Sequence, residues 1–567
     1  MKKLVKYLRP YRAESVLGPL FKLLEATLEL LVPLIMADII DVGIAAGDTA
    51  YIVKKCLLLA GLGVGGFVFS TTAQYFAAKA ATGFTADVRH DLFAQIQRLS
   101  FAQQDRLGTS TAITRMISDM NQVQTGLNLT LRLLLRSPFV VFGAMVMAFT
   151  VDKKAALAFA VAIPVLFAVV FAIMLSCIPL YKKVQGRLDK VLGKTRGNLN
   201  GVRVIRAFGL EERETEEFDA ENSGLFASQR FVGRLSALLN PVTYVIINLA
   251  VVAVLRIGGG RVDAGILTQG AVIALYNYMS QILVELIKLA NLILNITKAL
   301  ACADRVSAVL ALEPGMEAGT AALDTGCETA VAFENVAFRY PGAEEDALES
   351  ISFTVSKGQT VGIIGGTGSG KSTLVNLIPR FYDRTAGAVR LFGTDVRDCP
   401  VEQVRNLVGI VPQKALLFSG TVRENLRWGD ETADDSALLA AMEAAQIDKE
   451  LDFKVEQAGR NLSGGQKQRL TVARALVRKP EILILDDSAS ALDFATEAKL
   501  RKTLQNLPWR PTVFIVSQRT ASIQHADQIL VLDDGRLAAS GTHAELLQSC
   551  TVYREIYDSQ FRKEDAV

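Results

Sequence analysis

Residues 365–373 read Gly365-Gly366-Thr367-Gly368-Ser369-Gly370-Lys371-Ser372-Thr373, a glycine-rich run that satisfies the pattern G-x-x-x-x-G-K-[ST]. Its flanks supply the context that pattern requires. Thr360-Val361-Gly362-Ile363-Ile364 is short and apolar like a buried strand, and Leu374-Val375-Asn376-Leu377-Ile378 continues as the first turns of a helix. Glycines let the backbone curl until successive N–H groups converge, and the helix N-terminus adds the positive end of its dipole. Such a cradle suits a chain of phosphates. Lys371 is placed to reach the β- and γ-phosphates of a nucleoside triphosphate, and the Ser372 hydroxyl to ligate Mg²⁺.

Working outward, 567 residues exceed what one core serves, so at least two domains are expected. Half the residues are hydrophobic and the mean hydropathy is +0.29, yet 21% are charged, a mixture that fits a membrane half joined to a water-facing half. A net charge of +3 leaves no footprint for nucleic acid. The six cysteines, Cys56, Cys177, Cys302, Cys327, Cys399 and Cys550, are widely spaced without a C-x-x-C pair, which argues against a zinc site or a disulfide framework. The basic start, Met1-Lys2-Lys3, precedes an apolar segment too long for a signal-peptide core and is expected to face the cytosol.

Apolar stretches long enough to cross a bilayer, at roughly 20 residues each, occur near 15–40, 56–78, 127–151, 155–179, 235–257 and 266–294. They predict about six spans. Two long polar segments, 79–126 and 180–234, separate spans two from three and four from five. Lys182, Lys183, Arg187, Lys190 and Lys194 crowd the second of them, placing both in the cytosol with the N-terminus. Their helical spacing predicts that the spans continue as helices into the cytosol. The expected organisation is a membrane domain over 1–311, a linker over 312–328 and an α/β nucleotide-binding domain over 329–567.

Charges inside spans need a reason, since each costs about 2.5–3.5 kcal/mol at mid-membrane on insertion scales. Lys22, Glu25 and Glu29 share one face of the first span, and Glu285 and Lys288 one face of the last. Ion pairs that hold the bundle together and a polar cavity that passes a substrate both accommodate them.

In the second half, further motifs follow one another in a fixed order. Tyr340 lies in Phe338-Arg339-Tyr340-Pro341-Gly342 and Gln413 in Val411-Pro412-Gln413. Leu462-Ser463-Gly464-Gly465-Gln466 comes next, then Ile482-Leu483-Ile484-Leu485-Asp486 and Ser490-Ala491-Leu492-Asp493. Together with the glycine-rich loop they resemble the nucleotide-binding domain of ABC transporters. The whole chain resembles an ABC exporter half-transporter of the multidrug type, an all-α six-helix membrane domain followed by an α/β P-loop ATPase domain. The resemblance implies that ATP and Mg²⁺ are bound, with Tyr340 stacking on adenine. Ser372, Gln413 and Asp486 serve the metal, and Leu462–Gln466 is the signature that completes an ATP site on a second chain. Asp493 belongs to the D-loop beside it. The residues themselves point the same way, because an aromatic holds a purine by stacking and Asp486 ends a buried strand, at the edge where α/β sheets bind ligands.

Two positions depart from the family. Where it has a glutamate that polarises the attacking water, this chain has Asp487, one methylene shorter. Where it has a switch-loop histidine, Val516-Ser517-Gln518-Arg519 carries Gln518, which cannot hold an imidazolium charge. His90, His525 and His543 lie elsewhere and are expected to be surface residues. Both departures fall on the site built from this chain's own glycine-rich loop, while Ser463 and Gly465 of the signature are intact. This is the pattern of a degenerate-site subunit of a heterodimeric exporter for hydrophobic or lipid-like substrates in the cell membrane, with its nucleotide domain cytosolic. A slow homodimer and an ATP-gated regulatory subunit remain open alternatives.

Overall fold

The computed structural model describes residues 4–313, 315–316, 319–488 and 493–561. The chain forms two compact units, residues 1–97 with 109–312 and residues 98–108 with 313–567.

The first unit is helical. After a 3₁₀ stretch, Val5–Tyr11, come α1 (Arg12–Asp38) and α2 (Thr49–Arg98). Beyond residue 109 follow α4 (Met120–Leu133), α5 (Arg136–Val151), α6 (Lys153–Phe208), α7 (Glu211–Ala237), α8 (Leu239–Asp263) and α9 (Gln269–Leu310). Local chemistry sets the helix ends. Asp152 accepts a hydrogen bond from Ala155 N at 2.7 Å as the N-cap of α6, which stops at Gly209 with φ 63. At 1.5 Å per residue the 56 residues of α6 extend roughly 84 Å, far more than a hydrocarbon core of about 30 Å. The polar segments 79–126 and 180–234 are therefore largely helical continuations of the spans. The last connection is shorter than the apolar pattern suggests, because α8 runs on to Asp263.

Five helical stretches, Thr49–Arg98, Thr109–Val151, Lys153–Phe208, Glu211–Asp263 and Gln269–Leu310, are long and apolar enough to cross a membrane. The remaining expected span, α1, has the length but carries Lys22, Glu25 and Glu29. Apolar side chains point both ways: Phe159, Leu166, Leu275 and Ile282 fill the core, whereas Val64, Phe67, Leu175 and Leu249 are exposed. Such an outer surface suits lipid rather than water.

The charges of α1 and α9 meet a partner that the sequence reading left out. Arg136, at the start of α5 and 6% exposed, donates from Nη1 to Glu285 Oε1 and from Nη2 to Glu29 Oε2, both at 2.6 Å. Ser137 Oγ donates to Glu285 Oε2 at 2.9 Å and Lys288 Nζ to Glu285 Oε1 at 2.9 Å. Lys22 pairs with Glu25 and donates to Ser70 Oγ at 3.0 Å. Two cations and two anions thus join α1, α5 and α9, with the Lys22–Glu25 pair beside them. Pairing accounts for the buried members, while the Glu29 and Lys288 side chains keep 41% and 45% exposure.

The second unit includes α3 (Phe101–Leu107), capped by Ser100 in a capping box with Gln103. Its Phe101 ring stacks on Phe381 at 4.4 Å between centroids, the Arg405 guanidinium lies 5.5–5.8 Å from these two rings, and Tyr382 Oη donates to Asp105 Oδ2 at 2.7 Å. The rest of the unit is built on two sheets. An antiparallel one joins β1 (Thr329–Phe338), β2 (Leu348–Ser356), β4 (Ala386–Leu391) and β5 (Thr394–Asp395) in the order β2-β1-β4-β5. The other has the order β10-β9-β3-β8-β7-β6, from β3 (Thr360–Gly365), β6 (Val408–Val411), β7 (Ile482–Asp486), β8 (Thr512–Val516), β9 (Gln528–Asp533) and β10 (Arg536–Gly541). Only β10 is antiparallel. Ile482 and Ile484 enter one core and Leu483 and Leu485 the other, so the unbroken apolar runs are strands buried on both faces.

Two outcomes follow from this packing. Arg136→Met leaves Glu285 buried without its guanidinium and is expected to cost about 3–5 kcal/mol in detergent unfolding, with part recovered when Glu285→Gln is added. Phe101→Ala is expected to speed hydrogen exchange in Phe101–Leu107 while leaving MgATP binding unchanged.

Candidate nucleotide-binding site

The glycine-rich loop leaves the C-terminal end of β3 and enters α10 (Lys371–Leu377). Its glycines are needed where space runs out. A Cβ on Gly370, whose φ is 92, would lie 2.8 Å from Ala347 O, and one on Gly365 would lie 2.1 Å from Leu532 O. Gly366, Thr367 and Gly368 form the exposed rim of the loop, whereas Ser369 and Lys371 are buried.

Lys371 Nζ donates to Gly365 O at 2.9 Å, Gly366 O at 2.5 Å and Ser369 Oγ at 3.3 Å. It forms no salt bridge among the described residues. Burial pushes the ammonium's pKa down, and the charges of Asp487 and Asp486 oppose that shift. A buried cation satisfied only by neutral oxygens is a place fitted for an anion.

Next to it, Ser372 Oγ donates to Asp486 Oδ1 at 3.0 Å. Burial raises the Asp486 carboxyl, the Ser372 hydrogen bond lowers it, and neighbouring Asp487 raises it further. Hydroxyl and carboxylate oxygens side by side are the hard donors that Mg²⁺ takes. Gln413 Nε2 donates to Asp487 Oδ2 at 3.3 Å, so the structure brings Ser372, Gln413, Asp486 and Asp487 together. Asp487 itself sits at φ 47 with its N–H on Val516 O at 3.0 Å.

Tyr340 shares a hydrogen bond of 3.0 Å between its hydroxyl and Thr373 Oγ1, and its ring meets Phe338 and Tyr382 edge-on at 4.8 and 5.4 Å. This fixes the aromatic beside the loop. Gln518 is exposed and its side chain makes no hydrogen bond among the described residues, but its carbonyl is tied down. Gln560 in α13 (Thr551–Phe561) donates from Nε2 to Gln518 O at 2.7 Å, and its Oε1 accepts from Thr520 N and Oγ1 at 2.9 Å. The sequence reading missed Gln560, and nothing in local pattern marks a contact across 42 residues.

The signature opens α11 (Gly464–Val477). Ser463 Oγ accepts from Gln466 N at 3.3 Å and Gln466 Oε1 accepts from Ser463 N at 3.0 Å. Leu462 is buried as an anchor, Ser463 and Gly464 are exposed and Gly465 is partly so. Among the described residues no hydrogen bond joins Leu462–Gln466 to Gly365–Thr373, so the two glycine-rich helix starts are separate. Ser490, Ala491 and Leu492 lie outside the described residues. Asp493 caps α12 (Phe494–Gln505), its Oδ1 accepting from Thr496 N at 2.9 Å and its Oδ2 from Thr496 Oγ1 at 2.8 Å, a structural role beyond the expected one. His543 is half-buried rather than a plain surface residue, with Nδ1 2.7 Å from Tyr553 Oη.

Comparison with known proteins matches residues 15–286 to the family described as ABC transporter transmembrane region and residues 348–490 to that described as ABC transporter. An uncharacterized ABC transporter ATP-binding protein of Bacillus subtilis, YfiB, is 36% identical over 100% of this chain and 99% of its own. A multidrug efflux ATP-binding/permease protein of Mycobacterium bovis is 31% identical over 98% of this chain, which spans 47% of that longer protein. The solved structure of a bacterial Atm1-family ABC exporter with ATP bound superposes with a TM-score of 0.83 at 25% identity, covering 97% of this chain and 99% of the other.

Lys371→Ala is expected to weaken MgATP binding by on the order of 10- to 100-fold, the worth of a charge-assisted hydrogen bond. Asp486→Asn should instead leave metal-free ATP binding in place and abolish the gain on adding Mg²⁺, measured with a fluorescent nucleotide with and without chelator.

Proposed function

We propose, starting from the fact that this chain belongs to the ABC transporter family and has its exporter fold, that it is the degenerate-site subunit of a heterodimeric exporter. The two chains together would carry hydrophobic or amphipathic substrates, of a multidrug or lipid class, out across the cytoplasmic membrane. Each chain would contribute six spans, α1 included, with the N-terminus and the nucleotide domain in the cytosol. The relation to the mycobacterial multidrug efflux protein supports the substrate class.

The observation that carries the reading is the site itself. Asp487 and Gln518 stand where the family has glutamate and histidine, beside an undamaged loop and an undamaged signature. At the chain's own site the loop N–H groups and Lys371 would hold the phosphates, and Tyr340 the base. Bound Mg²⁺ would supply charge neutralisation between the phosphates. Asp487, one methylene short and held by Gln413, would position water poorly, and about 1 Å of misplacement costs on the order of 10²-fold in rate. Nucleotide would therefore stay bound and help hold the dimer closed. Ser463 and Gly465 would face the partner's ATP with the exposed start of α11, and hydrolysis there would reset the transporter.

ATPase assays on the purified chain, alone and with its partner, test this. The chain alone should be nearly inactive, and Asp487→Glu with Gln518→His should raise hydrolysis at its own site by about 10²-fold. Full activity from the unaltered chain by itself would overturn the degenerate-site reading and favour a homodimer.

A further inference from the structure

On the reading that Gln518 serves the chain's own nucleotide site, we infer that Gln560, in the last turn of α13, is a positioning residue for that site. Its side-chain amide sets where Gln518 stands, and so how well the site tells a nucleoside triphosphate from a diphosphate. Sheet register places Gln518. Val516 pairs with Ile363 of β3 on one side and with Asp486 of β7 on the other, and Ser517 N still donates to Ile363 O at 3.1 Å. Two residues beyond Val516, Gln518 leaves β8 at the level where β3 reaches Gly365 and β7 has passed Asp487. Lys371 Nζ is held at this level, on Gly365 O and Gly366 O, with the Ser372–Asp486 hydrogen bond beside it. Tyr340 instead meets the loop at Thr373. A side chain here is placed for the terminal phosphates and their metal rather than for the base.

The Gln518 side chain makes no hydrogen bond among the described residues, so its backbone decides where it points. Upstream the turn is tied to β3 through Ser517, whose Oγ also accepts from Arg519 N at 2.9 Å. Downstream it is tied to α13, and there the two ends of the Gln560 amide have different tasks. Oε1 accepts from Thr520 N and Thr520 Oγ1, each at 2.9 Å. Thr520 is fully buried and opens the short helix Thr520–Ile523, whose N-cap, Arg519, offers no side-chain hydrogen bond, so Oε1 stands in for the missing cap. Nε2 has no share in that cap. It donates to Gln518 O at 2.7 Å, gripping the residue that faces the nucleotide site.

Gln560 can act as a fixed point because α13 is docked on the core. Tyr553 is fully buried with its Oη 2.7 Å from His543 Nδ1, and Arg554 donates from Nε to Leu547 O and from Nη2 to Gln548 O, both at 2.8 Å. Gln560 itself is exposed and fills no space in that core. A side chain that packs against little and directs both ends of its amide at one turn acts through that turn.

The test uses the full chain in nanodiscs, with affinities for AMP-PNP and ADP, each with Mg²⁺, measured by displacement of a fluorescent nucleotide. Gln560→Glu keeps an acceptor for Thr520 and loses the donor to Gln518 O. It should leave the ADP affinity unchanged and lower the preference for AMP-PNP over ADP by about two- to tenfold, the worth of one hydrogen bond. Gln518→Ala should lower that preference as well, and adding Gln560→Glu to it should lower it no further. Loss in Gln518→Ala without loss in Gln560→Glu overturns the positioning role and leaves the reading of Gln518 standing. No loss in Gln518→Ala overturns both. Equal weakening of AMP-PNP and ADP in Gln560→Glu, or a further fall in the double variant, shows that Gln560 does not act through Gln518 and overturns the role. Should Gln560→Glu not fold, a chain ended at Ser559 also lacks the Nε2 donor, and an unchanged AMP-PNP preference there refutes it.

Discussion

Parallel pairing of β3, β8 and β7 is the constraint on which the nucleotide site depends. In register, Val516 stands level with Ile363 on one side and Asp486 on the other. The chain continues past each strand at the same edge: Ser517 N donates to Ile363 O at 3.1 Å and Asp487 N to Val516 O at 3.0 Å. Three segments from distant parts of the sequence, the glycine-rich loop, the Asp486–Asp487 pair and the turn that carries Gln518, therefore emerge together. A slip of one residue in β7 would turn Asp486 to the other face of the sheet. Pairing on both sides, with β8 and with β6, holds β7 in that register.

The same edge explains why Lys371 can remain buried without a carboxylate. The loop bends its own carbonyls inward to hold the ammonium, and the closest acidic groups, Asp486 and Asp487, are occupied by Ser372 and Gln413. A full ion pair would neutralise the site; neutral partners leave its positive potential available to phosphate. The signature uses a different device. Ser463 and Gln466 satisfy each other's backbone N–H groups in a capping box, which fixes the direction of α11 and leaves the exposed start of that helix pointing away from the core.

In the helical unit, polarity is handled by pairing rather than by exclusion. Arg136 is shared between Glu29 and Glu285, with Lys288 completing a neutral set, so three helices separated by more than 100 residues meet at one point. A buried pair of this kind is weak evidence for stability, because well-packed apolar residues often do as well. Its stronger consequence is register. The guanidinium fork admits one vertical offset of α5 against α1 and α9.

Much of this was written in local pattern. The glycine-rich loop, the apolar run ending in Asp486, the apolar spans and their helical extensions follow from short-range rules of spacing, turn chemistry and hydropathy, whereas Asp487 and Gln518 stand out as departures only beside the family that the motifs resemble. Local pattern has no reach, however, over contacts between segments. Arg136 as the partner of Glu285 and Glu29 was invisible because 107 and 149 residues separate them. Gln560 donating to the Gln518 carbonyl and Phe101 stacked on Phe381 were hidden for the same reason. The sequence by itself determined which groups are present and which strand or helix each rides on. Only the tertiary structure decided which of them touch, since side-chain pairing across distant elements is set by strand register and helix packing, and neither is encoded within any one window of the chain.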